Sequence, residues 1–489
     1  MQHYSNSFRK LSVCLLICLL TTPSANSQNV FTMEEVVERA ISQSPVSRQA
    51  ETRKENRFWQ YQSYRTNYNP QLRLNGSAPS LSKSFIPVRQ NDGTIIFRAI
   101  NQTNSTINLG LQQPIQWTGG NISVNSALNY FNDIERSSEQ WNGTVFNIQL
   151  FQPIFAYNPL KWDKMTEPLR YEESKREYVE QREFISRQAV DLFFSVLQYQ
   201  VDIQIARFNL ANNDTIYKIE QGRYNIGTTS QDKLLQIELQ LLRSRQAEAQ
   251  ASLDLETAAL RLRSYIGLLD DVQFDLMLPD VIPPFDISVD EALRLAHQNR
   301  AAFIAFERRR LEAERDVAEA RGNRFQTSLM ASYGLNNSAF NANGIYMDPQ
   351  RQQQLNVTFN IPIMDWGRNK AAIQTALANK RLNDYVIAQD EVAVEQEVTT
   401  QVRQFEMLRL QIEITKKSDE VAQQRYSVAQ SRYLMGKIDI TNLNIALNEK
   451  DAAKRSYIQA LHAFWTAYYD LRRLTLYDFV NQRLLYTPE

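Results

Sequence analysis

Two periodicities run through the chain. Val190, Phe193, Leu197, Val201, Ile205 and Phe208 recur every three or four residues, and so do Val394, Val398, Val402, Phe405, Leu408 and Ile412. This is the stripe of a helix packed along a coil-like seam. It predicts very long helices over about 160–221 and 368–431, with opposite faces rich in Gln, Glu, Arg and Lys. A helix of about 60 residues is about 90 Å long, far beyond the ordinary globular range. Such helices need partners along their whole length, so a bundle or a tube is implied. The other periodicity is two. Leu355, Val357, Phe359 and Ile361 alternate with Asn356, Thr358 and Asn360; Phe146, Ile148 and Leu150 alternate with Asn147 and Gln149; Leu329, Ala331, Tyr333 and Leu335 alternate with Ser328, Ser332 and Gly334; Leu72 and Leu74 flank Arg73. One face is apolar and the other takes Asn, Gln, Ser and Thr. Outer-membrane barrel strands alternate in this way, and so do strands half-buried on a soluble sheet.

The two patterns occur twice in the same order. Phe31-Thr32-Met33-Glu34-Glu35-Val36-Val37 parallels Ile287-Ser288-Val289-Asp290-Glu291-Ala292-Leu293: a hydroxyl at the N-cap, two acids in the first turn, then an apolar face. Gln152-Pro153-Ile154-Phe155 parallels Ile361-Pro362-Ile363-Met364, and Arg223-Tyr224-Asn225-Ile226-Gly227 parallels Arg432-Tyr433-Leu434-Met435-Gly436. The first pair is offset by 256 residues and the other two by 209, so the first half carries 47 extra residues before Pro153. Each half therefore reads as a helix (33–66 and 289–322), a β-region (about 70–155 and 325–362), a very long helix, a Tyr-x-x-Gly turn and another long helix (about 229–267 and 438–477). The expected boundaries are a first repeat over 28–278, a linker over 279–286 marked by Pro279, Pro283 and Pro284, a second repeat over 287–478 and a tail over 479–489. The excess holds an extra hairpin at about 105–131, turned by Thr118-Gly119-Gly120-Asn121. Periodicity leaves open whether it widens a barrel or lies outside one.

Arg9-Lys10, the apolar run Leu11–Leu20 and the small residues Ala25 and Ser27 form, in that order, a secretory signal over 1–27. Leu11–Leu20 is too short to cross a bilayer, and no later run reaches the length needed. A membrane location would then require a β-barrel. Removal of the signal takes both cysteines, Cys14 and Cys18, so disulfides cannot stabilise the exported chain.

Composition narrows the function. The 54 basic and 54 acidic residues balance, which argues against a nucleic-acid partner. With 3 His and no late Cys, and no Ser-His-Asp set or Gly-rich phosphate loop, the chain is a poor candidate for an enzyme, a metal site or a cofactor. His297 and His462 read as surface or packed residues. Phe464, Trp465, Tyr468 and Tyr469 lie at helical spacing and read as core. Trp117, Tyr130 and Trp141 near strand ends fit an interfacial girdle, and Tyr157, Trp162 and Trp366 a barrel-to-helix junction.

The duplicated pattern, the junction Asn360-Ile361-Pro362-Ile363-Met364-Asp365-Trp366-Gly367-Arg368 and the two Tyr-x-x-Gly turns resemble the TolC family of outer-membrane efflux proteins over essentially the whole mature chain. The resemblance implies an α+β membrane protein: an internally duplicated chain whose long coiled-coil-like helices form a trimeric periplasmic α-barrel, with a β-barrel in the outer membrane shared by the trimer. It implies a homotrimer in contact with outer-membrane lipid, a periplasmic adaptor (membrane fusion) protein and an inner-membrane pump, with no catalysis and no cofactor. Export of drugs or other small molecules is the expected function. A type I protein secretion duct and a periplasmic coiled-coil scaffold without a channel are the alternatives.

In the family the two turns are the periplasmic tips. Tyr224, Asn225, Ile226, Gly227 and Thr228, with Tyr433, Leu434, Met435, Gly436 and Lys437, are then the expected adaptor-docking residues, with Ile226, Leu434 and Met435 as apolar contacts. Family members close the tunnel just after the second turn with carboxylate rings and polar links between helices. The usual pattern has Asp six and nine residues after the Gly, but this chain has Asn442 and Ile445 there. The gate candidates are therefore Asp232, Asp439, Asn442, Asn444, Arg223 and Arg432. Either acid also reads as an ordinary first-turn residue favoured by the helix dipole.

Overall fold

The computed structural model describes residues 29–268, 274–279 and 281–486. The expected signal over 1–27, with Cys14 and Cys18, lies outside the described residues, as do Asp280 of the expected linker and the last three residues of the expected tail.

The described residues start with a short strand, β1 (Asn29–Phe31), after which the helices come in matched pairs. Helices α1 (Met33–Gln43) and α5 (Val289–Asn299) have 11 residues each, and α2 (Pro45–Thr66) and α6 (Ala301–Gly322) have 22. Helices α3 (Pro159–Asn225) and α7 (Arg368–Leu434) have 67, and α4 (Gln231–Ile266) and α8 (Ile440–Thr475) have 36. The duplication is thus preserved helix by helix.

The single first helix expected over 33–66 and over 289–322 is in each case two helices. Thr32 opens α1 with a reciprocal capping box to Glu35, and Ser288 accepts the Glu291 N–H at the start of α5. The first break is at Ser44, held extended (ψ 146°) by the following Pro45, whose ring disfavours a helical predecessor. The second break is at Arg300 (ψ 138°), where no proline follows. There Ala301 N–H donates to Glu180 Oε1 at 2.8 Å, so a side chain satisfies a donor that the new helix leaves free.

The described residues fall into two compact units. One comprises residues up to Arg48, Phe184–Pro284 and Phe405–Tyr469. Its core is aromatic and aliphatic: Ile185, Val190, Phe193, Phe194, Leu262, Ile266, Leu461 and Phe464 are all but fully buried, and Phe405 lies against Phe464 at 4.8 Å between ring centres. Trp465, Tyr468 and Tyr469 are buried as well. His462 stacks on Phe194 and bonds Asp191 at 2.9 Å. Burial alone would raise the Asp191 carboxyl, but His462, Arg187 and Thr466 outweigh it and hold Asp191 below its ordinary range. The parallel pair of β1 and β7 (Phe274–Leu276) closes one side of the same unit.

The other unit comprises Gln49–Glu183, Phe285–Gln404 and the chain from Asp470. It holds a seven-stranded antiparallel sheet made of β2 (Gln71–Ser77), β3 (Leu81–Arg89), β4 (Ile95–Ile115), β5 (Gly120–Asp133), β6 (Ser138–Ile154), β8 (Gln326–Ala339) and β9 (Gln350–Asn360). The order is β2-β4-β5-β6-β8-β9, with β3 pairing β4 beyond the end of β2. Directly paired residues share a face. The register aligns Leu72 and Leu74 with Leu111 and Leu109, Leu111 with Val124, Val124 with Ile148, Ile148 with Tyr333, and Leu329 and Ala331 with Val357 and Leu355. The opposite face is a polar row: Gln71 pairs Gln112, which pairs Ser123, then Gln149, Ser332 and Gln354. Gly110 makes room for this face, since a Cβ there would lie 2.5 Å from Asn125 Oδ1. The alternation seen in single strands therefore continues across the sheet as a mainly apolar and a mainly polar face, although Phe151 and Met330 pair on the polar one.

The last described residues belong to this unit. Residues of β10 (Tyr477–Asp478) pair with β11 (Arg483–Leu484), and Tyr486 OH donates to Glu172. Buried Asp478 and Glu183 both face Arg472, at 3.4 and 2.8 Å. Arg472 Nη2 donates to Glu183 Oε1 at 3.1 Å, whereas its Nε approaches Oε2 as an ion pair off the hydrogen-bond direction. Arg308 makes a bidentate bond to Glu173 and a second to Glu312.

Candidate gate and docking tips

The two Tyr-x-x-Gly turns have the same backbone. Gly227 (φ 77°) donates to Tyr224 O at 2.9 Å and Thr228 to Arg223 O at 2.9 Å; Gly436 (φ 71°) donates to Tyr433 O at 2.9 Å and Lys437 to Arg432 O at 2.9 Å. These are Schellman closures, which place a left-handed residue just past the helix end and favour glycine there. Thr228 adds its hydroxyl to Arg223 O at 3.0 Å. Each turn leads to an N-cap at equivalent repeat positions. Ser230 Oγ accepts from Lys233 N–H, and Asp439 Oδ1 accepts from Asn442 N–H at 2.9 Å and from its side-chain Nδ2 at 2.9 Å.

Exposure divides the expected docking residues. Tyr224, Asn225, Ile226, Gly227, Thr228, Leu434, Met435, Gly436 and Lys437 are exposed. Ile226, Leu434 and Met435 present apolar side chains to the surface. Tyr433 does not belong with them: it is 6% exposed and packs with Ile216, Ile237, Tyr426, Leu443, Ala446 and Leu447. Its Tyr-x-x-Gly counterpart Tyr224 is exposed, so the repeat symmetry is broken at this position.

The buried tyrosine forms a polar link that Tyr433 alone did not reveal. Tyr433 OH donates to Glu220 Oε1 at 3.3 Å, and Arg223 Nη1 donates to the same oxygen at 2.6 Å. Glu220 itself is buried. Burial, then the Glu220 carboxylate, push the Tyr433 hydroxyl up to about 12. Helices α3 and α7 are thus tied near the tip by a hydrogen bond from the Tyr433 hydroxyl to the Glu220 carboxylate. Glu220 was visible in the sequence only as an acid three residues before Arg223.

The remaining gate candidates separate. Asp232, Asp439, Asn442 and Arg432 are exposed. Asp439 serves as a helix cap, the ordinary role weighed against a gating one. Asn444 is half-buried and lines a polar cavity of about 270 Å³ with Asp202, Asn209, Asn213, Arg243 and Arg455. Here Arg455 bonds Asp202 at 2.7 Å and Asn213 bonds Ser244 at 2.6 Å.

The helix backs are less polar than their composition suggests. Leu235, Leu239, Leu242, Leu253 and Leu260 of α4 are about half exposed, and so are Met407, Leu410, Ile414, Val421 and Val428 of α7. Both sets keep to heptad positions, the spacing of a seam that takes a neighbouring helix. Among the described residues no other element covers these seams.

Among the described residues no helix is long and apolar enough to cross a membrane, and no group of three or more His, Cys, Asp or Glu could hold a metal ion. A family profile described as outer membrane efflux protein matches residues 36–268 and 289–475. No match is found among curated protein sequences. Solved structures share the fold at low identity. The CmeC outer membrane channel of Campylobacter jejuni is 15% identical with a TM-score of 0.65, covering 91% of this chain and 85% of that one. The open-state MtrE outer membrane channel of Neisseria gonorrhoeae is 15% identical with a TM-score of 0.60, covering 91% and 88%. VceC, an outer membrane protein of Vibrio cholerae, is 14% identical with a TM-score of 0.60, covering 91% and 95%.

Proposed function

Since the chain belongs to the outer membrane efflux protein family, we propose that it is the outer-membrane channel of a tripartite efflux system, assembled as a homotrimer and working with a periplasmic adaptor and an inner-membrane pump. The observation that carries this reading is the sheet, where Leu72, Leu111, Val124, Ile148, Tyr333 and, farther along, Leu355 and Val357 share one face while Gln112, Ser123, Gln149, Ser332 and Gln354 run across the other. A sheet of this kind, closed on itself, puts Leu, Ile and Val against lipid and amides around a water-filled lumen. The tilted Tyr130–Trp141 pair, 4.7 Å between ring centres, ends the apolar face on one side; exposed Trp117 and Trp366 lie by its other end. These are positions suited to interfacial aromatics.

The uncovered seams on α4 and α7 support self-association, because apolar heptad faces left in water mark a missing partner. The Gly227 and Gly436 tips, with Ile226, Leu434 and Met435 exposed, suit docking by a helical adaptor. Closure at this end relies on neutral and paired groups: Tyr433 on the Glu220–Arg223 pair, Asn442 on the Asp439 cap, and Asn444 in the polar cavity. The channel performs no chemistry. Cargo moves down a gradient maintained by the pump.

Deletion of the gene tests the reading. Loss of the protein sensitises cells to several unrelated small compounds, and the protein stays in the membrane fraction after carbonate extraction. Unchanged sensitivity together with a missing secreted protein moves the assignment to protein secretion. Extraction into the soluble fraction moves it to a periplasmic scaffold.

A further inference from the structure

We propose that this chain contributes six strands to the shared barrel, two of them added by the extra hairpin, so that the outer-membrane exit is an eighteen-stranded barrel. The inference rests on the trimeric channel reading above and goes beyond it. The duplicated plan supplies two strands in the second half, β8 and β9, whereas the first half supplies four positions. One position is shared end to end by β2 and β3, because both pair with β4; the others are β4, β5 and β6.

Several observations place the added strands within the sheet. Strand β5 pairs β4 over 14 residues, from Gln102–Asp133 to Ile115–Gly120, and pairs β6 along nearly all its length. The base of the hairpin is tied to both neighbouring helices. Asn158, the residue before α3, donates to Gln116 O at 2.9 Å; Gln152 donates to Thr118 O at 3.2 Å; and Gln113 donates to Tyr68 O at 2.9 Å, just beyond α2. The apolar face crosses the added strands through the pairs Leu111–Val124 and Ile107–Leu128, with Ser126 opposite Leu109 between them. A hairpin lying outside a barrel has no need of this continuity.

The two edges fit a second copy. All eleven residues of β9 are exposed, as are all but the first of β2, whereas β5 and β8 are mostly half-buried. Six positions is an even number, so β2 and β9 run in opposite directions and can pair antiparallel between copies. Their apolar residues, Leu72 and Leu74 against Leu355, Val357 and Phe359, lie on the same face. Such edges are templates for another strand unless they are covered. With strands about 4.8 Å apart and tilted by about 40°, eighteen close at a backbone diameter of about 36 Å, against about 24 Å for twelve. Barrels of that order leave an aqueous channel. The exit would therefore pass bulky solutes.

Site-directed spin labelling tests this. The only cysteines are Cys14 and Cys18 in the signal, so a single introduced cysteine labels one site. The mature protein is reconstituted in liposomes with labels at Leu109→Cys, Val124→Cys, Ile148→Cys and Val357→Cys, and with Gln112→Cys and Ser123→Cys as polar-face controls. Accessibility to oxygen is compared with accessibility to a water-soluble nickel complex. The proposal expects the first four to favour oxygen and the two controls to reverse the ratio. Nickel-favoured labels at Leu109 and Val124, with oxygen-favoured labels at Ile148 and Val357, would place the added hairpin outside the barrel and overturn the proposal alone. Nickel-favoured labels at all four would overturn the membrane-channel reading itself. A second set of variants does not depend on labels within the sheet: Arg73→Cys or Asn75→Cys is combined in turn with cysteines at Gln352, Gln354, Asn356 and Thr358. A disulfide-linked ladder of up to three chains supports closure between β2 and β9, and absence of a ladder from every combination refutes it.

Discussion

Replacing Tyr433 by Phe removes one hydroxyl and leaves the ring in place, so it creates no cavity. The lost bond joins a 6% exposed tyrosine to a buried carboxylate at 3.3 Å. Hydrogen bonds to charged groups contribute about 1.5–3 kcal/mol, and the length of this one places it near the lower end, about 1.5 kcal/mol. Arg223 continues to satisfy Glu220 at 2.6 Å, so the variant does not strand a buried charge. If the bond exists only in the closed arrangement of α3 and α7, its loss raises the open-to-closed ratio about tenfold. Single-channel recording in planar bilayers reads this ratio directly. Glu220→Gln should have a smaller effect, and the double variant should fall short of the sum, because both changes remove the same interaction. The proton on Tyr433 is not in play near neutrality. A hydroxyl raised to about 12 contributes stability that is complete below the ordinary tyrosine range, near 10, and is lost as pH rises from there through about 12. Closure should therefore not change between pH 6 and 9. An open fraction in Tyr433→Phe equal to that of the parent, at full folding, would refute the assignment of this link to the gate.

Arg472→Met leaves Glu183 and Asp478 facing each other in a buried site and should destabilise the protein by about 3–5 kcal/mol, seen as a marked fall in melting temperature that Arg472→Lys partly restores. Asp439→Ala should cost about 1 kcal/mol while Asp439→Ser, which copies the cap of the first repeat, costs little; equal melting temperatures for the two variants would argue against the capping role. Burial pushes the Glu180 carboxyl above its ordinary range against the Ala301 N–H and nearby Arg300 and Arg473, so its contribution is complete at low pH and shrinks as pH rises through the raised value. Glu180→Gln should therefore gain stability relative to the parent as pH rises through that window, and a constant difference across it would contradict the shift. Periplasmic trivalent cations should block the channel weakly, since the positions six and nine residues past Gly436 are Asn442 and Ile445; strong block that Asn442→Ala leaves unchanged would count against an uncharged constriction.

Much of this fold can be read from side-chain period. The spacing from Val190 to Leu197 and from Val398 to Phe405 marks the buried stripe of α3 and α7, because burial along one stripe is what a long helix needs. The alternation around Val357 and Ile148 marks the apolar face, and the Tyr-x-x-Gly turns mark the helix ends, because glycine is favoured at positive φ. Features set by neighbours distant in sequence are not legible in this way. The break at Arg300 depends on Glu180, 121 residues away, and no proline announces it. Tyr433 and Tyr224 occupy equivalent repeat positions, but only Tyr433 has Ile216, Ile237 and Leu443 around it. The leucines of α4 sit among Gln, Glu and Arg, so their heptad seam becomes visible only when the unit's own core is seen to leave them uncovered. Asp439 is ambiguous in sequence, because a cap and a gate acid both stand at the start of a helix.

The central claim is that the exposed sheet edges and the helical seams are completed by other copies of the same chain. The most direct measurement is the mass of the purified mature protein, taken with and without detergent. The account predicts a particle of three chains that needs detergent to stay in solution. A stable monomer in plain buffer would contradict it.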